Sequence, residues 1–273
     1  MSPTETIWEK GDYTRIAASM RESGEALVPT LGIKPGLKVL DLGCGDGTTA
    51  LPAARLGAEV WGVDTARNLI AAASQRARKE GLANLRFQVG DAIDLAGFRA
   101  DTFDLVVSIF GAMFADRPFD AAKEMVRVTR PGGRIVMANW IPNDPSLVAQ
   151  IFKIRAAYTP PPEDGFISPM EWGIEANVIE RFASAGIPRE DVSFLREKYT
   201  FNFPAAPAEL VDEFRRYHGE TMDAFESAEK NGCADDLRKE LVALFESQNT
   251  SPREDATLIP ATFLRVTVAV KLG

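Results

Sequence analysis

The sequence has little of what defines several protein classes. Its 273 residues include two cysteines, Cys44 and Cys233, and one histidine, so neither a disulfide framework nor a metal cluster is predicted. The N-terminus has no basic segment followed by an apolar core, and no apolar run approaches the roughly 18 residues that a membrane span requires. We therefore expect a cytoplasmic protein with no membrane span and no bound metal.

Positive charge is also in short supply. The chain has 31 basic and 39 acidic residues, which gives a formal charge of -8 at neutral pH. A surface with this balance repels a phosphate backbone. Nucleic acid is accordingly not expected as a partner, and a small-molecule substrate is favoured.

What the sequence does have is a regular alternation of strand-like and helix-like segments over its first 140 residues. This rhythm predicts a parallel sheet with right-handed crossovers. Apolar runs predict strands at 37–42, 59–63, 85–89, 103–108 and 134–139, with helices at 48–56 and 66–80. After Trp140 the pattern changes to helices at 144–158, 171–185 and 208–248, with strands at 192–203 and 262–271.

A glycine-rich loop follows the first predicted strand. Residues 39–47 read VLDLGCGDG, and Asp64 ends the next strand, 21 positions after Gly43. A carboxylate at that place can accept hydrogen bonds from both hydroxyls of a ribose, so the loop predicts a nucleoside-containing ligand. A dinucleotide fingerprint would have its third glycine at position 48, where this chain has Thr48. Two acids in the segment, Asp41 and Asp46, disfavour a phosphate and suit a cationic ligand.

This loop resembles the first motif of the class I S-adenosylmethionine-dependent methyltransferases. The resemblance continues in order through Val63-Asp64, Gly90-Asp91-Ala92, the strand at 103–108 and Arg130-Pro131-Gly132-Gly133, and so covers residues 37–140. It is strongest to the type 11 group, which includes ubiquinone and menaquinone methyltransferases, although nothing in the C-terminal half points to a quinone. The implied fold is an α/β, Rossmann-like, doubly wound sheet of seven strands. The sheet is mostly parallel, its last strand is antiparallel, and a helical cap is inserted in the C-terminal half.

The resemblance also implies a set of cofactor-binding residues. The glycines line the methionine side of S-adenosylmethionine, Asp64 holds the ribose, Asp91 and Ala92 lie by the adenine, and the end of the fourth strand lies beside the sulfonium. An N-terminal segment containing Tyr13 folds over the cofactor. The full set is Tyr13, Asp41, Gly43, Gly45, Gly47, Asp64, Thr65, Asp91, Ala92, Ser108, Ile109 and Phe110.

Three regions are predicted along the chain. Residues 1–36 form a helical lid, whose first 20 residues are expected to be dispensable for folding of the sheet. Residues 37–142 form the cofactor-binding core, and residues 143–273 carry the last two strands and a substrate-specificity cap. Tyr158, Trp172 and Tyr217 are candidates for an acceptor pocket in this last region, and His218 is the candidate general base, with Tyr217 beside it. A purely structural histidine is the alternative.

The predicted function is methyl transfer from S-adenosylmethionine to oxygen, nitrogen or an activated carbon of a small molecule, with S-adenosylhomocysteine as product. Because the leaving group is already activated, positioning and desolvation of the acceptor supply most of the catalysis. Two alternatives stay open: a nicotinamide-dependent oxidoreductase built on the same sheet, and a non-catalytic nucleoside-binding sensor. The protein is expected to be a monomer or a homodimer.

Overall fold

Seven strands form one sheet in the computed structural model, which describes residues 7–271. The strands are β1 (Lys38–Leu42), β2 (Glu59–Asp64), β3 (Leu85–Val89), β4 (Phe103–Ile109), β5 (Thr129–Trp140), β6 (Val192–Phe203) and β7 (Thr257–Ala269). Their order is β3-β2-β1-β4-β5-β7-β6. Strands β1 to β5 are parallel, and β7 lies antiparallel between β5 and β6. The predicted doubly wound sheet with an antiparallel last strand is therefore confirmed.

Nine α-helices that lie wholly within the described residues connect or flank these strands. They are α1 (Tyr13–Leu27), α2 (Ala50–Arg55), α3 (Arg67–Lys79), α4 (Pro118–Val128), α5 (Leu147–Tyr158), α6 (Glu175–Ser184), α7 (Pro207–Tyr217), α8 (Gly219–Lys230) and α9 (Ala234–Gln248). None of them combines the length and apolarity that crossing a membrane would require. The same part of the chain has no group of three His, Cys, Asp or Glu side chains that could hold a metal ion.

Two elements between residues 117 and 140 differ from the sequence-based prediction. Helix α4 was not predicted. It starts with Pro118, and proline is tolerated there because the N–H groups of the first turn make no intrahelical hydrogen bond. Strand β5 begins at Thr129 and includes the Pro-Gly-Gly segment that precedes the predicted strand at 134–139. The pairing of β4 with β5 shifts register there, because the extra residues form an irregularity in the strand.

The C-terminal helices divide between two places. Helices α5, α7, α8 and α9 pack against one another and form what we call the helical cap. Helix α6 packs against α4 instead, and its Phe182 is fully buried there beside Trp172. The region predicted to choose the acceptor is thus split, and α6 belongs to the layer that covers the sheet.

Helix α1 is a fixed part of the core. It packs along β6, where the hydroxyl of Ser23 donates to the carbonyl oxygen of Thr200 at 3.0 Å and accepts from its N–H at 2.9 Å. Its side chains Ile16 and Met20 are 1% and 7% exposed, so the helix contributes apolar area to the same core as the sheet. This packing is that of a core helix and differs from the predicted lid.

We therefore expect deletion of residues 1–20 to destabilise the sheet, contrary to the sequence-based expectation. Burying one such apolar side chain is worth about 1.5–3 kcal/mol, and the deletion removes both Ile16 and Met20. The free energy of unfolding, measured by urea denaturation, should fall by about 3 kcal/mol or more. An unchanged urea midpoint in the truncated protein would show that α1 is peripheral after all.

Candidate functional site

A cavity of about 1070 Å³ opens at the carboxyl ends of β1 to β4. It lies where the strand order reverses between β1 and β4, the place where doubly wound sheets bind their ligands. Ten of the twelve predicted cofactor-binding residues line it: Tyr13, Asp41, Gly43, Gly45, Asp64, Thr65, Asp91, Ala92, Ile109 and Phe110. The sequence motifs, which are spread over a hundred residues, therefore meet on one surface.

The glycine loop forms one wall of this cavity. The N–H of Gly43 donates to the carbonyl oxygen of Val63 at 2.7 Å, and a Cβ atom on Gly43 would lie 2.5 Å from the Cα atom of Gly111. Gly45 also has a left-handed backbone, with φ of 53°, but no atom lies within 4 Å of where its Cβ would be. Gly43 is thus required for the close approach of two loops, whereas Gly45 leaves open space for a ligand.

Two predicted contact residues, Gly47 and Ser108, lie behind the wall and do not line the cavity. A Cβ atom on Gly47 would lie 2.3 Å from the Cδ1 atom of Leu51. The hydroxyl of Ser108 donates to the carbonyl oxygen of Leu42 and accepts from the N–H of Ala112, both at 2.7 Å. In this structure both residues support the loops that carry the cavity.

Asp64 links the glycine loop to the start of α3. Its Oδ2 atom accepts from the N–H of Gly45 at 2.8 Å, and its Oδ1 atom accepts from the N–H of Ala66 at 2.9 Å. Burial raises the pKa of this carboxyl group above its ordinary value. Since a carboxylate has about four acceptor sites, it can still accept from a ligand in the cavity. The capping and ligand-binding roles are compatible.

Asp41 is a buried carboxyl group that lacks a partner on one side. It is 1% exposed, it lines the cavity, and its Oδ2 atom has no hydrogen-bond partner in the described protein. Burial, followed by the charge of Asp64, raises the pKa of Asp41 to about 8. An unsatisfied buried acceptor is costly, so a cationic or N–H-bearing ligand group would fit at this atom.

Asp46 differs from Asp41 because the protein already neutralises it. Its Oδ2 atom lies 2.7 Å from Nη2 of Arg21, and its Oδ1 atom lies 3.1 Å from Nη1 of Arg76. Because the two arginines already neutralise this carboxylate, the expectation that Asp46 attracts a cationic ligand is wrong. The ion pair with Arg21 instead fastens α1 to the glycine loop.

A second cavity of about 460 Å³ adjoins the first and lies under the helical cap. We call it the chamber. Five side chains, Trp8, Tyr13, Met20, Phe110 and Phe114, line both spaces. Phe110 has a left-handed backbone with φ of 57°, a conformation that costs a non-glycine residue about 1–3 kcal/mol, and its ring stacks on Trp140 at 3.8 Å. That stacking helps to hold Phe110 at the boundary.

The candidate catalytic pair is separated by the structure. His218 lines the chamber, whereas Tyr217 does not. The ring of Tyr217 instead contacts the guanidinium of Arg15, whose Cζ atom lies 5.4 Å from the ring centroid. Burial and the nearby charge of Arg155 hold the pKa of His218 well below its ordinary value. Of the other aromatic candidates, Tyr158 donates to Glu240 at 2.6 Å and Trp172 is buried beside α6, so neither lines the chamber.

Sequence reasoning missed several lining residues. Trp8 contacts Tyr13 edge to face at 5.2 Å and lines both spaces; its signal in the sequence was an aromatic residue five positions before Tyr13. Tyr199, in the middle of β6, lines the first cavity, and Arg155 of α5 lines the chamber. No local pattern marks Tyr199 or Arg155, because both reach the site through the tertiary fold.

Comparison with known proteins gives both sequence and structural relatives. A family model described as a methyltransferase domain matches residues 40–137. An uncharacterized protein of Mycobacterium tuberculosis is 33% identical over 243 residues, which is 87% of this chain and 85% of that protein. The nocamycin O-methyltransferase of Saccharothrix syringae is 37% identical over 131 residues, 46% of each chain. The solved structure of the YcgJ protein of Bacillus subtilis has the same fold, with a TM-score of 0.58 at 19% identity over 92% of this chain and 99% of that one.

The two glycines of the loop should respond differently to the same substitution. Gly43→Ala adds a clash with Gly111 to a strained backbone, so we expect it to lower the free energy of unfolding by about 3 kcal/mol or more. Gly45→Ala adds only the backbone strain, about 1–2 kcal/mol. Urea denaturation measures both, and equal losses would contradict the crossing of the two loops.

Asp41 should make the ligand-free protein less stable as pH rises. The folded protein keeps this proton up to about pH 8, whereas an unfolded chain releases it near about pH 3.9, so the folded state binds more protons between these values. Stability contributed by the protonated carboxyl is present below about pH 4 and is lost as pH rises through about 8.

We expect Asp41→Asn to melt at a higher temperature than the parent protein, by a difference that grows as pH rises from 5 to 8.5. Thermal unfolding monitored by circular dichroism measures this, and Asp101→Asn, which replaces an exposed carboxylate, controls for the change in net charge. A melting difference that does not grow with pH would contradict the buried, protonated state of Asp41.

Proposed function

The chain belongs to the S-adenosylmethionine-dependent methyltransferases of the type 11 group, and from this we propose that it methylates a small molecule held in the chamber. The observation that carries the proposal is the adjacency of the two spaces. A cavity lined by the family's motifs shares five side chains with an aromatic chamber under the helical cap. A methyl donor in the first space would thus lie beside an acceptor in the second.

The residues of the first cavity fit the cofactor. The unpartnered Oδ2 atom of Asp41 would accept from the cationic methionine end, with release of the carboxyl proton to solvent on binding, and the open side of Gly45 leaves room for it. Asp64 would accept from the ribose hydroxyls, and Asp91 and Ala92 would lie by the adenine. When bound, S-adenosylmethionine supplies a methyl group on a positively charged sulfur and leaves as S-adenosylhomocysteine.

The chamber supports a small acceptor with an apolar or planar body. Phe152, Phe201 and Phe214 contribute aromatic wall, which suits an apolar or planar group of a small metabolite. Enclosure of the acceptor away from water and next to the methyl donor supplies desolvation and positioning. Oxygen is the acceptor atom that we favour, since nocamycin O-methyltransferase is similar to this chain over 131 residues.

A nicotinamide dinucleotide fits less well. Its pyrophosphate would need the start of the helix after the glycine loop, and α1 covers that place: a Cβ atom on Gly24 would lie 2.3 Å from the Cγ2 atom of Thr48. Arg21, also on α1, is already paired with Asp46 in the same loop. Cytoplasmic location and a monomeric or homodimeric state stay predictions.

We expect one S-adenosylhomocysteine to bind per chain, measured by titration calorimetry. Asp64→Ala should weaken this binding roughly tenfold to a hundredfold, as expected when hydrogen bonds to a charged group worth about 1.5–3 kcal/mol are lost. Asp235→Ala, exposed in the first turn of α9, is the control and should bind like the parent protein.

Binding of NADH without binding of either sulfur ligand would contradict the assignment of the first cavity. Transfer of labelled methyl from S-adenosylmethionine to compounds of a metabolite extract tests the proposed activity directly. A protein that binds the cofactor and transfers no label to any compound would be the sensor that the sequence left open.

A further inference from the structure

The chamber has a polar corner in an otherwise apolar wall. Arg155 and Glu220 are its charged side chains among the described residues, and Nη2 of Arg155 donates to Oε2 of Glu220 at 2.7 Å. The other end of the same guanidinium, Nη1, lies 3.4 Å from Nδ1 of His218. The two charges of the corner therefore compensate each other, and the guanidinium also contacts the only histidine of the chain.

These contacts determine where His218 carries its proton. A guanidinium has donors and no acceptor, so this contact favours Nδ1 of His218 as the accepting nitrogen, and the hydroxyl of Thr221, 3.1 Å away, can donate to the same atom. The backbone N–H of Thr221 also donates to Nδ1, because His218 is the N-cap of α8. Burial and Arg155 lower the pKa of this histidine, so the ring is neutral and its single proton is on Nε2. His218 is thus a hydrogen-bond donor and has no vacant basic nitrogen.

A second neutral donor lies next to it. Tyr13 lines both the first cavity and the chamber, and its ring centroid is 5.8 Å from that of His218. The hydroxyl of Tyr13 is 3.9 Å from the sulfur of Met20, which is a weak acceptor. Burial raises the pKa of Tyr13, so this group keeps its proton at physiological pH. Tyr13 at the boundary and His218 in the chamber wall therefore provide two neutral donors, one O–H and one N–H.

We propose that the methyl acceptor is an acidic hydroxyl compound, a phenol or an enol, which binds as its oxyanion to the donors of His218 and Tyr13. The assignment rests on the proposed function and names the substrate class of its chamber. Neutral donors in a site that excludes water stabilise an oxyanion strongly. On binding, the acceptor's O–H bond breaks heterolytically, its electron pair stays on oxygen and its proton passes to the solvent.

No side chain that lines the chamber among the described residues is free to act as a general base, and this supports the class of acceptor. Glu220 is engaged by Arg155, and the carboxyl groups of Asp41, Asp46, Asp64, Asp91 and Asp116 line the first cavity and not the chamber. An alkyl alcohol would need a base to ionise near neutral pH, whereas a phenol or enol of low pKa does not. His218 is then a catalytic residue that donates to the acceptor, and Arg155 is a positioning residue that fixes its tautomer.

The probe for this assignment is 4-nitrophenol, whose anion and neutral form differ in visible absorbance. The protein is first saturated with S-adenosylhomocysteine, which has no sulfonium charge, so that any ionisation of the probe reflects the protein. Absorbance is then titrated from pH 5 to 9. We expect the pKa of the bound probe to fall by about one unit or more below that of the free probe, a tenfold change in its ionisation constant.

Variants of His218 show which group is responsible. His218→Leu should return the pKa of the bound probe to the free value or above it, and Tyr13→Phe should do so in part. His218→Gln keeps an N–H donor at a similar distance from the backbone, so it should retain most of the decrease. If His218→Leu does not fold, the parent protein, Tyr13→Phe and His218→Gln still test the assignment.

Three results would overturn the assignment: no binding of the probe, binding as the neutral phenol, or a bound pKa that His218→Leu leaves unchanged. These are distinguishable from failure of the proposed function, because calorimetry with S-adenosylhomocysteine is carried out first. Absence of that binding refutes the proposed function itself, whereas a bound cofactor product with no ionised probe refutes only the substrate class.

Discussion

The close crossing of two backbones at Gly43 and Gly111 determines the geometry of both cavities. At this crossing the loops that follow β1 and β4 approach so closely that a Cβ atom on either residue would collide with the other loop. The hydroxyl of Ser108 ties the same two loops together through Leu42 and Ala112. The chain then leaves β4 through Phe110, whose left-handed backbone directs its ring onto Trp140. One crossing thus positions the glycine loop on one side and the boundary of the chamber on the other.

The electrostatics of the site follow from what the fold leaves unpaired. Asp46 has two arginines, Asp64 has two backbone donors, and one oxygen of Asp41 has no partner among residues 7–271. A fold optimised for stability alone would not bury such an oxygen, since its desolvation is not compensated. Functional sites commonly retain such a defect, because a ligand can supply the missing interaction.

The first cavity could be predicted from the sequence because its residues come from consecutive strand ends. Each motif is local, and the topology of a parallel sheet brings the carboxyl ends together. What the sequence did not contain was the direction of each side chain. Ser108 was correctly located at the end of β4, yet its hydroxyl turns toward Leu42 and Ala112. Tyr217 and His218 are adjacent, but α7 ends between them and α8 begins, so only His218 lines the chamber.

The chamber could not be predicted in the same way. Its walls come from α1, the loop after β4, β5, β6, α5, α7 and α8, and residues such as Phe152 and Phe214 meet only after the cap has packed on the sheet. Helix α4 and the first part of β5 were also missed. Pro118 is a recognised start signal for a helix, so α4 could have been predicted, whereas the glycines at the start of β5 hide the strand pattern.

The division between core and cap also limits what likeness to other proteins can say. The sheet and its glycine loop are the part that the methyltransferase domain model matches, whereas Arg155, His218 and Glu220 lie in the cap, outside residues 40–137. The fold therefore accounts for the methyl donor, and the choice of acceptor depends on side chains that the fold does not dictate. Since Tyr13 and Trp8 of the N-terminal region line both spaces, and Arg21 fastens α1 to the glycine loop, that region physically connects the two parts. A side chain on this shared wall, such as Tyr13, is in a position to contact both ligands. A carboxylate there would repel a bound oxyanion, whereas a neutral donor is compatible with a methyl donor on one side and an oxyanion on the other.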